Sequence, residues 1–221
     1  MLDENIRYLQ IAFNQDLHMA VELLPQVPPS HRILIEAGTP FIKQEGMAGI
    51  RKMRNLWPGL IVADMKVSDG VINEVQMAHI AGANAITALG SAPMETLNLF
   101  IGECRRLRMI SMVDMIAVKD PLNVIRLLPI PPDVVVLHLG RDEESSRGKL
   151  IQYRHVSRIH SKYPVLISAA GGMDIKAARS AIFNGANIVV ANIVEEGGHW
   201  RGISVNEDIG AVARMFLETI E

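Results

Sequence analysis

The chain contains 221 residues with a mass of 24.3 kDa, and 49% of the residues are hydrophobic, enough to bury the core of one large α/β domain or of two small ones. The formal net charge of -2 and the scattered basic residues argue against a nucleic-acid partner. The single cysteine, an acidic N-terminal segment unlike a secretory signal, and the lack of an apolar run near the roughly 20 residues of a membrane span predict a cytoplasmic protein without a membrane partner.

Short apolar runs alternate with longer stretches of helical period along the chain. The apolar runs predict strands at 8–13, 32–35, 60–63, 85–89, 110–114, 134–138, 165–168 and 188–190. The periodic stretches predict helices at 17–24, 47–56, 71–81, 94–107, 122–128, 151–161, 175–184 and 205–220. The sequence therefore predicts eight strand–helix units in alternation.

The predicted strands are apolar on both faces of the pleat, instead of alternating between apolar and polar residues. Strands of this kind form parallel sheets that helices cover on both sides. Eight strand–helix repeats in a chain of this length fit a closed barrel better than an open sheet. We therefore predict a single (β/α)₈ TIM barrel domain over residues 1–221.

Polar residues gather where the predicted strands end. The active site of a (β/α)₈ barrel lies at the carboxyl ends of its strands, so these residues are expected to face one common site. They follow predicted strands one, two, three, five, six and seven, and they are Asn14, Glu36, Asp64, Lys66, Asp114, His138, Arg141, Gly171 and Gly172.

The third predicted strand ends in the densest group of charges, because Asp64, Lys66 and Asp69 lie within six positions. Residues two apart on a strand share a face, so Asp64 and Lys66 are expected to lie together, with Asp69 beyond the strand able to fold back over them. Three charges this close are costly in a core and useful in a site. Taken alone, Asp64 and Lys66 fit an ordinary ion pair better, and His138 fits a buried core histidine better.

Two motifs and their context resemble a known family. The runs 35–46, with Glu-x-Gly-Thr-Pro, and 63–70, with Asp-x-Lys-x-x-Asp, are similar to the orotidine 5′-monophosphate decarboxylase suprafamily. Within it they most resemble the 3-hexulose-6-phosphate synthases, including the archaeal form. The second motif alone is too short to be specific. Its occurrence one strand after the first motif makes the combination specific to this family. The similarity continues through 113–115, 137–142 and 169–172, and so covers nearly the whole chain.

The resemblance implies a homodimer that acts on a phosphorylated sugar, with Asp69 reaching across into the partner's site. It also implies a magnesium ion held by Glu36 and Asp64, at the ends of adjacent strands about 4.8 Å apart. In the synthase, the ion would stabilise an enediolate formed from ribulose 5-phosphate, which then attacks formaldehyde. Lys66 would add a second positive charge, and His138 would shuttle the proton.

Two positions depart from the family pattern. Strand one usually ends in aspartate but here in Asn14, and strand eight usually offers Gly-Arg or Gly-Ser to the phosphate but here offers Ala191-Asn192. Asn14 can still hydrogen-bond to the substrate. The backbone N–H groups at 191 and 192 can still bind the phosphate if position 191 needs no positive φ. Gly171-Gly172 fits both a phosphate cradle and a simple turn before a helix capped by Asp174.

Three functions therefore remain open. The flanking residues and Glu36 favour a magnesium-dependent aldol-type lyase that joins formaldehyde and ribulose 5-phosphate to give hexulose 6-phosphate. The His-x-x-Arg spacing of His138 and Arg141 instead resembles 3-keto-L-gulonate-6-phosphate decarboxylase, or more distantly the orotidine-monophosphate decarboxylase itself. Asn14 and Asn192 suggest a non-catalytic homologue that only binds a sugar phosphate.

Overall fold

The computed structural model describes residues 2–144, 150–195 and 200–221, and its main element is a closed barrel of parallel strands. The strands follow one another in chain order, and β1 pairs with β8 to close the ring. Their bounds are β1 Tyr8–Phe13, β2 Ile33–Ala37, β3 Leu60–Val67, β4 Ala85–Leu89, β5 Ile110–Asp114, β6 Val134–His138, β7 Leu166–Ala170 and β8 Ile188–Val194. The predicted (β/α)₈ barrel is confirmed.

Helices surround the barrel and return the chain to the start of each next strand. Their bounds are α1 Leu17–Leu23, α2 Thr39–Leu56, α3 Val71–Ile80, α4 Met94–Leu107, α5 Pro121–Ile125, α6 Arg141–Glu144, α7 Val156–His160, α8 Ile175–Phe183 and α9 Ile209–Thr219. Four of them begin at an aspartate whose carboxylate accepts a main-chain N–H of the first turn, namely Asp16, Asp120, Asp174 and Asp208. The predicted cap at Asp174 is thus present.

Two apolar clusters hold the barrel together. One lies between the strands and the helices, and includes Leu9, Phe41, Phe100 and Phe216. The other fills the lower barrel interior with side chains such as Leu34, Val62, Met112, Val134 and Ile188. Bulky side chains in the barrel axis make this interior a packed core and leave only the carboxyl-terminal end open to chemistry.

Several elements differ from their predicted bounds. Helix α2 begins at Thr39, eight residues before the predicted start, and its backbone breaks at Gly46, where φ is +60°. The break interrupts the helical period, so the apolar pattern predicts only the second half. Strand β8 continues to Val194, and a two-residue strand, β9 Ile203–Ser204, pairs with it.

In the ranges that the structure covers, no helix is both long and apolar enough to cross a lipid bilayer.

Candidate active site

A cavity of about 300 Å³ opens at the carboxyl ends of the strands. It is lined by residues from all eight barrel strands or the turns that follow them. Among the predicted site residues, the lining includes Asn14, Glu36, Asp64, Lys66, Asp114, His138, Arg141, Gly171 and Asn192. The prediction that the polar strand ends converge is therefore correct in geometry.

The Lys66 ammonium lies between two carboxylates in this cavity. Its Nζ is 2.8 Å from Asp64 Oδ2 and 2.9 Å from Asp114 Oδ2. Burial alone would lower the pKa of Lys66, but Asp64 and Asp114 outweigh it and raise that pKa above its ordinary range. Lys66 therefore stays protonated and supplies a fixed positive charge at the base of the site.

The contact between Lys66 and Asp64 depends on a bulge in β3 and not only on the alternation of side chains along a strand. The β3–β4 register advances from Ala63–Ile86 to Val67–Ala88, so β3 carries a bulge, and Lys66 has a φ of +49°. Its main-chain N–H donates to Thr87 Oγ1 instead of a strand partner. The bulge turns the lysine back over the strand end, which the period-two pattern could not predict.

Asp114 connects Lys66 to His138. Its Oδ2 is 2.8 Å from His138 Nδ1, and its Oδ1 accepts the Ile116 main-chain N–H at 2.9 Å. Burial would raise the pKa of Asp114, but the hydrogen bond and charge of His138, followed by the charge of Lys66, lower it to about 2. Burial would lower the pKa of His138, yet the contact with Asp114 raises it. Asp114, which was predicted to bind substrate, lines the cavity, is 2% exposed and contacts both Lys66 and His138.

Glu36 lies beside this network, and its pKa is shifted upward, whereas that of Asp114 is shifted downward. Burial, then repulsion by the Asp64 carboxylate, raises the pKa of Glu36 to about 7. The side-chain amide of Gln10 donates a hydrogen bond to Glu36 Oε2 and opposes that rise. Gln10 is 3% exposed and lines the cavity floor. It was missed in the sequence, although a polar residue inside an otherwise apolar strand was the available signal.

Two threonines complete the contacts of Asp64. Thr39 Oγ1 donates to Asp64 Oδ2 at 2.8 Å, and Thr87 Oγ1 donates to Asp64 Oδ1 at 2.8 Å. Thr39 is the threonine of the Glu-x-Gly-Thr-Pro motif, so the motif joins the ends of β2 and β3. Thr87 was not predicted, because the fourth predicted strand has no charged residue at its end.

The two positions that depart from the family pattern contact each other. Asn14 Nδ2 donates to Asn192 Oδ1 at 3.0 Å across the β1–β8 seam. A Cβ on Gly38 would lie 2.2 Å from Asn14 Oδ1, so the motif glycine leaves the room that the Asn14 side chain occupies. The result is a neutral amide pair at one wall of the cavity.

The predicted phosphate cradle lies at the end of β7, the strand next to β8. Gly171 and Gly172 have φ values of +111° and +54°, a turn that L side chains rarely adopt, directly before the α8 cap. The carboxylate of Glu144 lies against Gly172, and Arg201 Nη2 lies on the same side of that glycine. Arg141 lies 5.7 Å from the ring centroid of Trp200.

Three predicted site residues do not line the cavity. Asp69 is exposed beyond the end of β3, so it does not fold back over Asp64 and Lys66 within its own subunit. Ala191 is fully buried in the cluster between strands and helices, since it lies inside β8 and not in a turn after it. The φ of Ala191 is not positive, so alanine can replace the family's glycine at this position without backbone strain. Gly172 is buried behind Gly171.

Glu36 and Asp64 are the residues of this cavity that could hold the predicted magnesium ion. Glu36 and Asp64 offer hard oxygen ligands. Burial, and then repulsion by Asp64, raises the pKa of Glu36, and a divalent cation would relieve that repulsion. Both Asp64 oxygens already accept two hydrogen bonds each, from Lys66, Thr39 and Thr87, so one of these contacts must be exchanged. Over the ranges described, no group of three or more His, Cys, Asp or Glu side chains could hold a metal by itself. Substrate and water oxygens would complete the coordination.

Residues 7–192 match the model of the orotidine 5′-phosphate decarboxylase / HUMPS family. The chain belongs to this family. The resemblance predicted from its motifs is thus confirmed.

Individual proteins and solved structures are similar to this chain over nearly its whole length. The bifunctional enzyme Fae/Hps of Methanothrix thermoacetophila is 35% identical over 216 residues, which are 97% of this chain and 53% of that protein. The chain therefore spans about half the length of such curated relatives. A crystal structure of 3-hexulose-6-phosphate synthase is 28% identical, with a TM-score of 0.80, over 97% of this chain and 100% of that one. The enzyme of that name from Salmonella typhimurium is 25% identical, with a TM-score of 0.82, over 96% and 98%.

Proposed function

We propose that the protein is an aldol-type lyase that joins formaldehyde and ribulose 5-phosphate to give hexulose 6-phosphate through an enediolate. The observation that carries this proposal is the Lys66 ammonium held between Asp64 and Asp114, with Glu36 and His138 in the same cavity. The names of the family members reported above support it, because they include hexulose-phosphate synthases of matching length.

Proton transfer falls to His138. Asp114 is a carboxylate near neutral pH, so Nδ1 of His138 donates to it and Nε2 is the nitrogen that meets the substrate. This nitrogen takes the proton from C1 of ribulose 5-phosphate, and the negative charge moves to the neighbouring oxygen. Lys66 stabilises that charge without giving up its own proton, because its pKa is raised.

Glu36 and Asp64 would hold a magnesium ion, which supplies electrostatic stabilisation of vicinal substrate oxygens when it is bound. The two carboxylates project from adjacent strands β2 and β3 into one cavity. Gln10 would keep the Glu36 carboxylate directed at that position, since its side-chain amide donates a hydrogen bond to Glu36 Oε2.

Turnover of the purified protein tests the proposal directly. Ribulose 5-phosphate and formaldehyde with Mg²⁺ are expected to give hexulose 6-phosphate, and a chelator is expected to stop the reaction. The Lys66→Met variant is the matched negative control, and Lys52→Met on the exposed face of α2 controls for loss of a positive charge. No product with metal and both substrates would refute the proposed activity.

Arg141 favours a second candidate, decarboxylation of 3-keto-L-gulonate 6-phosphate. Its side chain lines the cavity three residues after His138. The same enediolate would form there by loss of CO₂ instead of a proton. Release of CO₂ from that substrate, without hexulose phosphate from formaldehyde, would decide for the decarboxylase.

The Asn14–Asn192 pair favours a third candidate, a homologue that binds a sugar phosphate without turnover. Ribulose 5-phosphate would then raise the melting temperature while no product forms with any of the substrates above. Measurable turnover that disappears in Lys66→Met would exclude this candidate.

We further propose a cytoplasmic homodimer in which Asp69 completes the partner's site. Asp69 is exposed at the start of α3, next to a surface with exposed Ile72, Met77, Ile80 and Leu99. A second copy of this chain would cover that apolar surface and bring Asp69 to a neighbouring cavity. Mixed dimers of Asp69→Ala and Lys66→Met subunits are expected to recover activity that each variant lacks alone, because one of the two sites is then intact.

A further inference from the structure

Two polar side-chain atoms are buried in the barrel strands without a hydrogen-bond partner from the described part of the chain. They are Oε1 of Gln10 on β1 and Oγ of Ser168 on β7. Gln10 is 3% exposed and Ser168 is 0% exposed. Buried polar groups of folded proteins are nearly always paired, either with another group of the chain or with a bound water molecule. An acceptor and a hydroxyl left over in the same barrel therefore indicate a small polar ligand.

The strand register places Gln10 and Ser168 at the same height in the barrel. Gln10 pairs with Val190 on β8, which in turn pairs with Ala170 on β7. Because the strands of a (β/α)₈ barrel are tilted, residues at one height are offset from this pairing by about one position per strand. Two strands from β1, the residue at the height of Gln10 is therefore Ser168, two positions before Ala170. The two side chains belong to one layer of the barrel.

Ser168 faces the barrel axis. Its neighbours two positions away, Leu166 and Ala170, both belong to the apolar cluster of the barrel interior, and residues two apart on a strand share a face. The same offset places Val62 and Met112 of that cluster in the layer of Ser168. Serine is the smallest side chain of the four in this layer, so the space for a further small molecule is greatest beside it.

The amide of Gln10 is turned so that its unpaired oxygen faces this space. Its nitrogen donates to Glu36 Oε2 on β2. Nitrogen and oxygen diverge from the same amide carbon, so the oxygen is directed away from β2, and β8 and then β7 lie on the other side of β1. The Gln10 oxygen is thus directed to the side of Ser168, yet the two side chains do not form a direct hydrogen bond.

We infer that a water molecule binds between Gln10 Oε1 and Ser168 Oγ, and that Ser168 is through this water a positioning residue for Glu36. The water donates one hydrogen to the amide oxygen, and its second contact is with the hydroxyl. Since water can donate or accept, Glu36 sets which way the amide faces, while the water holds the amide in place. The inference rests on the proposed function only for the magnesium ion that Glu36 would hold.

A high-resolution crystal structure of the wild type tests the water site without any assumption about the reaction. A water oxygen is expected at about 2.5 to 3.0 Å from both Gln10 Oε1 and Ser168 Oγ. The crystal structure of Ser168→Ala is expected to lack this water, because one of its partners is gone. A direct hydrogen bond between the two wild-type side chains, or a layer without solvent density, would overturn the inference. Water that stays in Ser168→Ala would overturn the part of Ser168 in it.

Magnesium affinity tests the positioning role, measured as the Mg²⁺ concentration that half-maximally stabilises the protein in urea. Gln10→Met is expected to weaken Mg²⁺ binding by about tenfold, the effect of losing a group that orients a metal ligand, and Ser168→Ala by about threefold. In the Gln10→Met background, Ser168→Ala is expected to have no further effect, because Ser168 acts only through that amide. Ser157→Ala, on the exposed face of α7, is the control and is expected to leave the affinity unchanged.

The outcomes separate this inference from the proposed function. Equal effects of Ser168→Ala with and without Gln10 would mean a general loss of packing and would overturn the positioning role. If the protein turns over ribulose 5-phosphate, Ser168→Ala is expected to raise the Mg²⁺ concentration for half-maximal rate while kcat at saturating Mg²⁺ changes little. Turnover and Mg²⁺ affinity that do not depend on Ser168 would overturn the positioning role and leave the reaction intact. A water bound to both atoms in a protein without turnover would support the water site and refute the reaction.

Discussion

The side-chain amide of Gln10 donates a hydrogen bond to the carboxylate of Glu36, in the floor of the cavity. The other amide atom of Gln10, Oε1, is buried and has no hydrogen-bond partner in the part of the chain that the structure describes. The amide orientation is therefore set by Glu36 alone, because the reverse orientation would turn an oxygen toward a carboxylate. Since a buried carboxyl with a pKa near 7 is balanced between its two forms, Glu36 controls both the charge and the stability of the site.

Removing the charge of Glu36 is expected to change how stability depends on pH. The folded pKa is raised from 4.5 to about 7, so the unfolded chain loses its proton first, and the folded state loses stability as the pH rises between these values. Glu36→Gln lacks this loss and can still accept the Gln10 hydrogen bond. Without metal, the free energy of unfolding of the variant minus that of the wild type is expected to grow by about 2 to 3 kcal/mol from pH 4.5 to pH 8.

Urea unfolding at several pH values measures this difference. Added Mg²⁺ at pH 8 is expected to stabilise the wild type and to have little effect on Glu36→Gln, because the cation binds only the site with two charged carboxylates. Parallel stability curves for the two proteins would contradict the raised pKa. Equal stabilisation by Mg²⁺ would contradict the role of Glu36 as a ligand.

Loss of the Lys66 ammonium is expected to affect both activity and stability. Lys66→Met leaves the Asp64 and Asp114 carboxylates buried without their shared cation, which costs about 3 to 5 kcal/mol. Turnover is expected to fall by at least about 10²- to 10³-fold, the effect of removing one preorganised group from a developing oxyanion. Steady-state kinetics measures the loss of turnover, and urea unfolding measures the loss of unfolding free energy. Lys52→Met, at an exposed position, is the control for both.

Lowering the pH offers a further check on Lys66→Met. Protonation of one of the two carboxylates relieves their repulsion, so the variant is expected to lose less stability relative to wild type at pH 5 than at pH 8. A deficit that does not depend on pH would mean that lost packing, and not the uncompensated charge, destabilises the variant.

Strand positions were predictable because local composition determines them. Strands β1, β4, β5 and β6 have the predicted bounds, since each is a short apolar run that ends at a charged residue or a turn. The residue types at the strand ends also predicted the cavity lining. Parallel packing forces those ends to one side of the barrel whatever the intervening helices do.

The contacts that the sequence did not predict depend on backbone geometry or join residues that are distant in the chain. Lys66 reaches Asp114 through a bulge in β3, which no hydrophobic period encodes. Arg201 reaches Gly172 because β9 brings the chain back to β8, and two residues are too few to give a strand signal. The Asn14–Asn192 contact joins residues 178 positions apart, so each looked like an isolated substitution in the sequence.

Replacing Asp114 by asparagine is expected to shift the pH dependence of the reaction. The hydrogen bond and charge of Asp114 raise the pKa of His138 against the effect of burial, so the variant histidine loses its proton at lower pH. If His138 acts as the base, the acidic limb of the kcat/KM profile moves to lower pH in Asp114→Asn. His138→Gln is expected to abolish that limb.

The same contact predicts that His138 adds stability at low pH, whereas the raised pKa of Glu36 removes stability at high pH; in both cases stability falls as the pH rises. A raised histidine pKa adds stability that is fully present below pH 6.5 and is lost as the pH rises through the folded value. The wild type is therefore expected to exceed His138→Gln in stability by more at pH 5.5 than at pH 9.

The kcat/KM profile provides the contrary outcome for the prediction on Asp114→Asn. An acidic limb that stays in place in that variant would show that a group other than His138 sets it.

The Asn14–Asn192 contact predicts which replacements the cavity wall accepts. In Asn14→Asp the new carboxylate can accept from Asn192 once that amide reverses, and in Asn192→Asp the Asn14 amide can donate to the carboxylate. Each single variant thus keeps one hydrogen bond and is expected to fold with a stability within about 0.5 kcal/mol of wild type. The double variant places two carboxylates at the 3.0 Å contact with no donor between them.

A double-mutant cycle by urea unfolding isolates this repulsion. At pH 8 the double variant is expected to be about 1 to 2 kcal/mol less stable than the sum of the single effects, and the coupling is expected to disappear near pH 3, where a carboxyl is protonated and can donate. The double replacement Asn14→Ala with Asn192→Ala is the uncharged control, in which coupling at pH 8 and pH 3 is equal. Additive effects of the two aspartates at pH 8 would mean that the side chains do not pair in solution, and the amide pair would then not shape the cavity wall.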